Sequence, residues 1–281
     1  MNVVELTKSL ISCPSVTPNN EGVLDLLQKE LTDMGFTCNR YLFSDTDTPD
    51  VDNLFAKIGS GAPHLCFGGH TDVVPVGDET AWSSNPFEAT EKNGKLYGRG
   101  ASDMKSAIAA FVSAVREYLE NNQVKGTISL LITNDEEGPA INGTRKVLEE
   151  LYKNGEKIDS CLVGEPTCPN NLGEMIKIGR RGSMTTTIKV SGKQGHVAYP
   201  EWTLNPINPL TSILNTLCNL ELDKGTEDFP PSNMEIVKIA SSEGATNIVP
   251  QTSTGTFNIR YNINHTKESL QSMINEVISK N

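Results

Sequence analysis

Three short apolar runs of β-forming residues each end just before side chains that can bind a metal ion. The runs span residues 64–67, 127–133 and 160–163. The side chains that follow them are those of His70 and Asp72, of the acidic run 135–137, and of Glu165. Ligands of open α/β sheets bind outside the carboxyl ends of the strands, so we expect these groups to meet at one edge of a sheet.

A fourth candidate, Asp103, follows a Gly-Arg-Gly turn at the start of a predicted helix. A hydrolytic metal centre uses carboxylate oxygens and an imidazole as ligands, and it keeps coordination positions for water and substrate. Taken alone, Asp103 is typical of a helix cap, and Glu136 with Glu137 is typical of a solvated acidic turn. Four such groups at strand ends or helix starts are improbable as a coincidence, and together they predict a metal site.

The order of predicted elements indicates two domains. In residues 1–177 the order is α, α, β, β, β, α, β, α, β, which is typical of an α/β domain with a mostly parallel sheet. In residues 178–281 the order is β-α-β-β-α, which matches a ferredoxin-like α+β unit without its last strand. The length of 281 residues is ample for two domains of ordinary size.

The composition argues against several classes of partner. A net charge of −11 disfavours nucleic acid or an anionic membrane as the main partner. No apolar run in the sequence approaches the ~20 residues of a transmembrane helix, and the N-terminus lacks the pattern of a signal peptide. Six scattered cysteines without a Cys-x-x-Cys motif favour reduced thiols, which predicts a cytoplasmic protein.

Four motifs resemble those of the M20 family of di-zinc hydrolases. They are His70-Thr71-Asp72-Val73-Val74-Pro75, Tyr97-Gly98-Arg99-Gly100-Ala101-Ser102-Asp103-Met104-Lys105, Asp135-Glu136-Glu137-Gly138 and Gly164-Glu165-Pro166-Thr167. Segments 177–183, 195–200 and 244–250 are similar to those of family members that remove a succinyl group from an N-succinylated diamino acid. The resemblance covers essentially the whole chain, and it implies a zinc-hydrolase catalytic domain with an inserted ferredoxin-like dimerisation domain.

For the metal site, the resemblance implies two zinc ions, or cobalt in their place. His70 and Glu165 would hold one ion and Glu137 the other, and Asp103 would bridge the two. The resemblance also implies a cis peptide bond between Asp103 and Met104.

For catalysis, the resemblance implies that Glu136 is the general base and acid and that Asp72 orients His70. His196, in the smaller domain, would reach the active site of a partner subunit and stabilise the oxyanion there. The expected assembly is therefore a homodimer that acts on a small-molecule N-succinyl amino acid. Five further residues would bind this substrate: Arg180, Ser183, Tyr199, Asn247 and Arg260.

Two other kinds of function stay open at this point. Within the family, the alternatives are acetylornithine deacetylase and the aminoacylase or peptidase activities. In a different class, the chain would be a metal-binding, self-associating module without turnover.

The second alternative is motivated by the end of the sequence. Family members continue beyond the smaller domain with a segment that carries a second metal-binding histidine. The only histidine after His196 is His265, which lies in a predicted strand-to-helix connection and does not match that motif. We therefore expect a shortened chain that binds about one zinc ion tightly instead of two, and its activity is an open question.

Overall fold

The computed structural model describes residues 1–242 and 244–280. Contacts divide the chain into two compact units, Met1–Glu174 and Met175–Asn281, and each unit has its own hydrophobic core. Within the described residues, no helix is both long enough and apolar enough to cross a membrane.

The first unit has helices and strands in nearly the predicted order, with a small additional hairpin. Its helices are α1 (Val3–Ile11), α2 (Val23–Asp33), α3 (Ser106–Asn121) and α4 (Thr144–Lys153). Its strands are β1 (Thr37–Asp45), β2 (Thr48–Ser60), β3 (His64–His70), β4 (Thr90–Lys92), β5 (Lys95–Tyr97), β6 (Gly126–Thr133) and β7 (Ser160–Val163). An irregular turn, Ala101–Lys105, leads into α3, and within it the Asp103–Met104 peptide bond is cis, as the resemblance implies.

Five strands of the first unit form one sheet in the order β1-β2-β6-β3-β7. Strand β3 pairs in parallel with both β6 and β7, whereas β1 with β2 and β2 with β6 are antiparallel. The prediction of a mostly parallel sheet is therefore wrong, and the sheet is mixed. The reason is the tight turn at Thr46 and Asp47, because so short a connection can join only antiparallel strands.

Side chains of the central strands alternate between the two faces of this sheet. On β6, Leu130 and Ile132 pack with side chains of α1, α2 and α3, whereas Leu131 packs with those of α4. Both faces are therefore covered, as parallel strands require. Because β6, β3 and β7 run in the same direction, their carboxyl ends lie at one edge of the sheet. We call this edge the metal-centre edge, since residues 70, 136–137 and 165 lie there.

The second unit is an antiparallel sheet with two helices packed against it. Its elements are β8 (Gly182–Ser191), β9 (Gly195–His196), α5 (Ile207–Cys218), β10 (Asn233–Ser241), β11 (Ile248–Val249), β12 (Thr252–Tyr261) and α6 (Lys267–Ser279). The main sheet has the order β10-β12-β8, and β9 pairs separately with β11. Leu210 and Leu214 of α5 and Leu270 of α6 form a core with Phe257 of β12. The main elements thus follow the order β-α-β-β-α.

Candidate metal centre

The candidate ligands of the first unit gather at the metal-centre edge. His70 ends β3, Glu136 and Glu137 follow β6, Glu165 follows β7, and Asp103 lies in the turn before α3. The parallel pairing of β3 with β6 and β7 brings together side chains that are far apart in the sequence.

The ring nitrogen Nε2 of His70 faces three carboxylates. It lies 3.1 Å from Oδ1 of Asp103, 3.5 Å from Oε1 of Glu165 and 3.9 Å from Oε2 of Glu136. Two sets of side chains offer ligand atoms within 4.8 Å of one another: His70 with Asp103 and Glu165, and His70 with Glu136 and Glu137. An imidazole nitrogen surrounded by carboxylate oxygens is a donor set that suits a divalent metal.

His70 is buried, and Asp72 sets the orientation of its ring. Nδ1–H donates to the backbone carbonyl oxygen of Asp72 at 2.8 Å, and Oδ1 of Asp72 lies 3.5 Å away. A carbonyl oxygen only accepts, so in the neutral ring Nδ1 carries the proton and the lone pair of Nε2 faces the carboxylates. Burial lowers the pKa of His70, but hydrogen bonds to Asp72 and the charges of Asp72 and Glu165 outweigh it and raise the pKa to about 9. A metal must therefore displace a proton from Nε2 when it binds.

The side chain of Asp72 also holds the acidic run that follows β6. Its carboxylate is fully buried, and it accepts hydrogen bonds from the backbone N–H groups of Glu136 at 3.3 Å and Glu137 at 3.0 Å. The sequence assigns Asp72 only to the orientation of His70. In the structure the same carboxylate therefore links the imidazole to the backbone that carries both glutamates.

Asp135 has a structural role in the same loop. Its buried carboxylate accepts hydrogen bonds from the backbone N–H groups of Ala140 at 3.1 Å, Ile141 at 2.9 Å and Asn142 at 3.0 Å. An aspartate whose side chain binds the backbone of a following turn is a common turn signal, so the sequence contains the clue. These three bonds fix the loop on which Glu136 and Glu137 lie.

Negative charge accumulates around Glu137, which is half-buried. Burial raises the pKa of Glu137, and the charges of Asp103, Glu136 and Asp72 raise it further, whereas His70 opposes the change. A divalent cation would relieve this repulsion. The residues of the metal-centre edge therefore fit a bound metal both in donor type and in charge.

One buried cation near the metal-centre edge was not anticipated from the sequence. Lys105 is completely buried, and its Nζ donates to the carbonyl oxygens of Leu10 at 2.9 Å and Cys13 at 2.8 Å. Burial lowers the pKa of Lys105 to about 8, while the charges of Cys13 and Asp72 act against that change. Lysine is almost never fully buried, so composition and periodicity place it at the surface by default.

The predicted residues of the second unit form two groups, and the first surrounds His196. Nδ1 of this exposed histidine accepts a hydrogen bond from the backbone N–H of Ala198 at 3.1 Å, and Nε2 lies 3.3 Å from the side-chain amide of Asn247. The ring of Tyr199 lies 5.8 Å from the imidazole, centroid to centroid. Because Nδ1 accepts, the hydrogen of the neutral ring is on Nε2, so Nε2 and the amide nitrogen of Asn247 are both donors and their 3.3 Å contact is not a hydrogen bond.

The second group consists of Arg180, Ser183 and Arg260. Ser183 lies directly opposite Arg260 in the register of β8 and β12, and both arginines line one groove. Strand β8 runs from this group toward His196, and from Ser183 to Ser191 it rises roughly 26 Å. The two groups therefore lie at opposite ends of the sheet, so one copy of the second unit does not bring all five predicted substrate-binding residues together.

Comparison with known proteins shows relatives over nearly the whole chain. Residues 66–273 match the sequence pattern of peptidase family M20/M25/M40. The succinyl-diaminopimelate desuccinylase of Parvibaculum lavamentivorans is 52% identical over 275 residues, which are 98% of this chain and 69% of that protein.

Solved structures share the fold at lower identity. An M20 family metallo-carboxypeptidase from Sulfolobus solfataricus has a TM-score of 0.81 at 19% identity, covering 100% of this chain and 76% of that one. The YXEP protein of Bacillus subtilis, a dinuclear metal binding peptidase from the M20 family, has a TM-score of 0.62 at 16% identity, covering 99% and 68%. With the match over residues 66–273, the chain belongs to peptidase family M20/M25/M40.

Proposed function

We propose that this chain is a metal-dependent amide hydrolase that removes succinate from N-succinyl-LL-2,6-diaminopimelate, a reaction of lysine and diaminopimelate biosynthesis. The observation that carries the proposal is the convergence of carboxylates on Nε2 of His70, the nearest oxygen belonging to Asp103 at 3.1 Å. The substrate is inferred from the relative that is 52% identical over 98% of this chain, because that protein is named succinyl-diaminopimelate desuccinylase.

The proposed ligands are His70, Asp103, Glu137 and Glu165, and the proposed metal is zinc, with cobalt as a substitute. When bound, the metal polarises the scissile carbonyl and makes a water molecule more acidic. Both sets of candidate ligands share Nε2 of His70, and one lone pair binds one ion. From the residues described, we therefore expect about one tightly bound ion per chain.

Glu136 is the proposed general base. Its exposed carboxylate lies 3.9 Å from Nε2 of His70, farther away than the carboxylates of Asp103 and Glu165. Glu136 takes a proton from the attacking water, whose oxygen bonds to the amide carbon, and it gives that proton to the nitrogen as the C–N bond breaks. The products are succinate and the free amine of diaminopimelate, and Glu136 returns to its starting state. Asp72 supports this step by holding the backbone of Glu136.

Arg180 and Arg260 are the proposed partners of substrate carboxylates. Both line one groove of the second unit, and a guanidinium binds a carboxylate through two parallel hydrogen bonds. Ser183 adds a hydroxyl donor opposite Arg260. This combination suits a substrate that carries several carboxylates.

His196, Tyr199 and Asn247 are proposed to act on substrate held by a second copy of the chain. They lie at the end of the sheet opposite Arg260, and the separation exceeds the reach of a small amino-acid derivative. In the neutral ring the Nε2–H of His196 is a donor, which is what stabilisation of an oxyanion requires. The first unit would then be the catalytic domain, and the second, ferredoxin-like unit would form a homodimer.

The proposed location is the cytoplasm. Cys13, Cys38, Cys66, Cys161 and Cys218 are free thiols. A reducing compartment keeps thiols in this state.

Steady-state kinetics of the zinc-loaded chain test the proposed substrate. We expect kcat/KM for N-succinyl-LL-2,6-diaminopimelate to exceed that for N-acetylornithine and for a dipeptide by at least about tenfold. Glu136→Gln, purified in the same way, controls for contaminating hydrolases. Faster turnover of N-acetylornithine would make the chain a deacetylase. Tight zinc binding without turnover of any of these compounds would instead make it a non-catalytic module.

A further inference from the structure

Lys105 connects the turn that carries Asp103 to the end of a helix. Its ammonium group is completely buried, and burial of a charge is costly unless hydrogen bonds satisfy it. Nζ donates to the carbonyl oxygens of Leu10 and Cys13, at 2.9 Å and 2.8 Å. The oxygen of Leu10 lies in the last turn of α1, where helix carbonyls lack partners within the helix, and that of Cys13 lies just beyond the helix. The side chain therefore ties the end of α1 to the turn Ala101–Lys105.

The segment 13–17, which follows α1, is bonded in turn to the end of β3. Ser15 is fully buried, and its Oγ donates to the carbonyl oxygen of Thr71 at 2.6 Å. The carbonyl oxygen of Ser15 accepts from the N–H of Val73 at 2.9 Å. Thr71 and Val73 flank Asp72 in the sequence, so this segment holds the backbone on both sides of the residue that orients the imidazole.

The contacts of Lys105 and Ser15 meet at one atom. The carbonyl oxygen of Cys13 accepts from Nζ of Lys105 and from the backbone N–H of Ser15, at 2.8 Å in each case. Gly100 adds a packing contact: a Cβ at this residue would lie 2.8 Å from Cγ1 of Val73 and 3.1 Å from Cδ of Lys105. The end of β3, segment 13–17 and the Lys105 side chain therefore pack as one continuous body.

We infer that Lys105 and Ser15 are positioning residues that fix the carboxylate of Asp103 relative to Nε2 of His70. These two candidate ligands lie on separate pieces of chain, one at the end of β3 and one in the turn before α3. Segment 13–17 is hydrogen-bonded to both pieces, so it sets the distance between them. The inference rests on the proposed metal centre, but it is independent of the proposed substrate.

Cobalt titration of the metal-free chain tests this inference, because the visible spectrum of bound Co²⁺ reports the geometry of its ligands. Lys105→Met removes the ammonium group and keeps an unbranched stem, and Ser15→Ala removes only the Oγ hydrogen bond. We expect each substitution to weaken cobalt affinity by about tenfold or more and to shift the visible bands, as is usual when residues that orient metal ligands are removed.

Each variant has a matched control away from the metal-centre edge. Lys57→Met removes a lysine that pairs with Glu156 on the same unit. Thr127→Val removes a buried hydroxyl that donates to the carbonyl oxygen of Gly61 at 2.8 Å, at the opposite end of β6. We expect both controls to lower the urea midpoint while cobalt affinity stays within about twofold of wild type.

The outcomes distinguish a change in the geometry of the metal ligands from a general loss of stability of the fold. If Lys105→Met and Ser15→Ala bind cobalt with wild-type affinity and spectrum, the inference is overturned, and it is equally overturned if the controls shift the spectrum as much. If Lys105→Met does not fold, Ser15→Ala decides alone. A wild-type chain that takes up no cobalt would overturn the proposed function, and the inference with it.

Discussion

The two units hold their candidate functional residues in opposite ways. In the first unit, His70 is 1% exposed, and the buried carboxylate of Asp72 accepts a hydrogen bond from the backbone N–H of Glu137. In the second unit, Tyr199 is 49% exposed beside His196, and Arg260 lies at the far end of the same sheet. The candidate ligands at the metal-centre edge are thus held in place by buried contacts within one unit. The candidate residues of the second unit lie in two separate groups, and one copy of this unit does not bring the groups together.

The largest effect should come from His70→Gln, because Nε2 of His70 is the only nitrogen in either set of candidate ligands among the described residues. We expect loss of the tightly bound metal and a fall in kcat/KM of at least about 10³-fold, since the metal contributes several kcal/mol to the reaction. Metal analysis of the purified protein and steady-state kinetics measure the two quantities.

His64→Gln is the matched control for this prediction, because His64 is buried at the other end of the same strand. Its Nε2 lies 2.7 Å from Oγ of Ser129, and its Nδ1 lies 2.7 Å from the carbonyl oxygen of Lys157. We expect His64→Gln to lower the free energy of unfolding by about 1–3 kcal/mol and to keep the metal. If the His64 variant lost the metal and the His70 variant kept it, the assignment of His70 as a metal ligand would be contradicted.

A somewhat smaller effect is expected from Glu136→Gln, which keeps the size of the side chain and removes its basicity. We expect kcat to fall by about 10²–10⁴-fold while metal affinity changes little. Glu165→Gln should do the reverse and weaken metal binding, since Oε1 of Glu165 lies 3.5 Å from Nε2 of His70. If both variants lost metal equally, Glu136 would be a ligand instead of the base.

The second unit is tested by mixing two inactive variants. We expect His196→Ala to lower kcat by about 10²–10³-fold, the usual cost of a lost oxyanion donor. If His196 serves the active site of a partner, His196→Ala mixed with Glu136→Gln should recover activity at up to about a quarter of the sites, because half of the dimers are mixed and each has one intact site. Sedimentation should show dimers at micromolar concentration. A monomer, or a mixture without recovery, would contradict the role of His196 in a dimer.

Local patterns in the sequence were sufficient to predict most of the residues that lie at the metal-centre edge. Apolar runs that end at His70, Glu136 and Glu165 predict strands whose ends carry ligands, and the structure brings these residues together. The tight turn between β1 and β2 was missed because residues 44–52 are polar and resemble a loop. Since that turn reverses β2 relative to β1, the error extended from one loop to the direction of β2, whose pairings with β1 and β6 are both antiparallel.

Contacts between distant residues could not be predicted in the same way. Lys105 and Leu10 are 95 residues apart, and Ser15 and Thr71 are 56 apart, so no short-range pattern connects them. The division of the second unit into two groups depends on the register of β8 with β12, which places Ser183 opposite Arg260. Motifs therefore identify candidate residues, whereas strand register decides which of them act on the same ligand.

The smallest effect concerns the pH dependence of stability in the metal-free chain. The pKa of His70 is about 9 in the folded protein and 6.5 in an ordinary environment, so its contribution is fully present below pH 6.5 and is lost as the pH rises through 9. Burial lowers the pKa of Lys105 to about 8, so its opposite contribution begins only above that pH. Between pH 6.5 and 8, we therefore expect the free energy of unfolding to fall by about 1.5 kcal/mol, roughly tenfold in the equilibrium constant.

Urea unfolding in the presence of a chelator measures this slope, and His70→Gln is its control because it removes the titrating ring. The variant should show a nearly flat profile over the same pH range. Saturating zinc should largely remove the slope of the wild type above pH 6.5, since the metal-bound ring holds no proton on Nε2 and the ring of the unfolded chain has already lost its extra proton. A wild-type profile that is flat with the chelator, while zinc still raises the free energy of unfolding, would mean that the metal binds as proposed while the carboxylates around His70 do not raise its pKa. The metal-centre edge would then differ from the residues around His196 in burial and packing but not in the effect of charge.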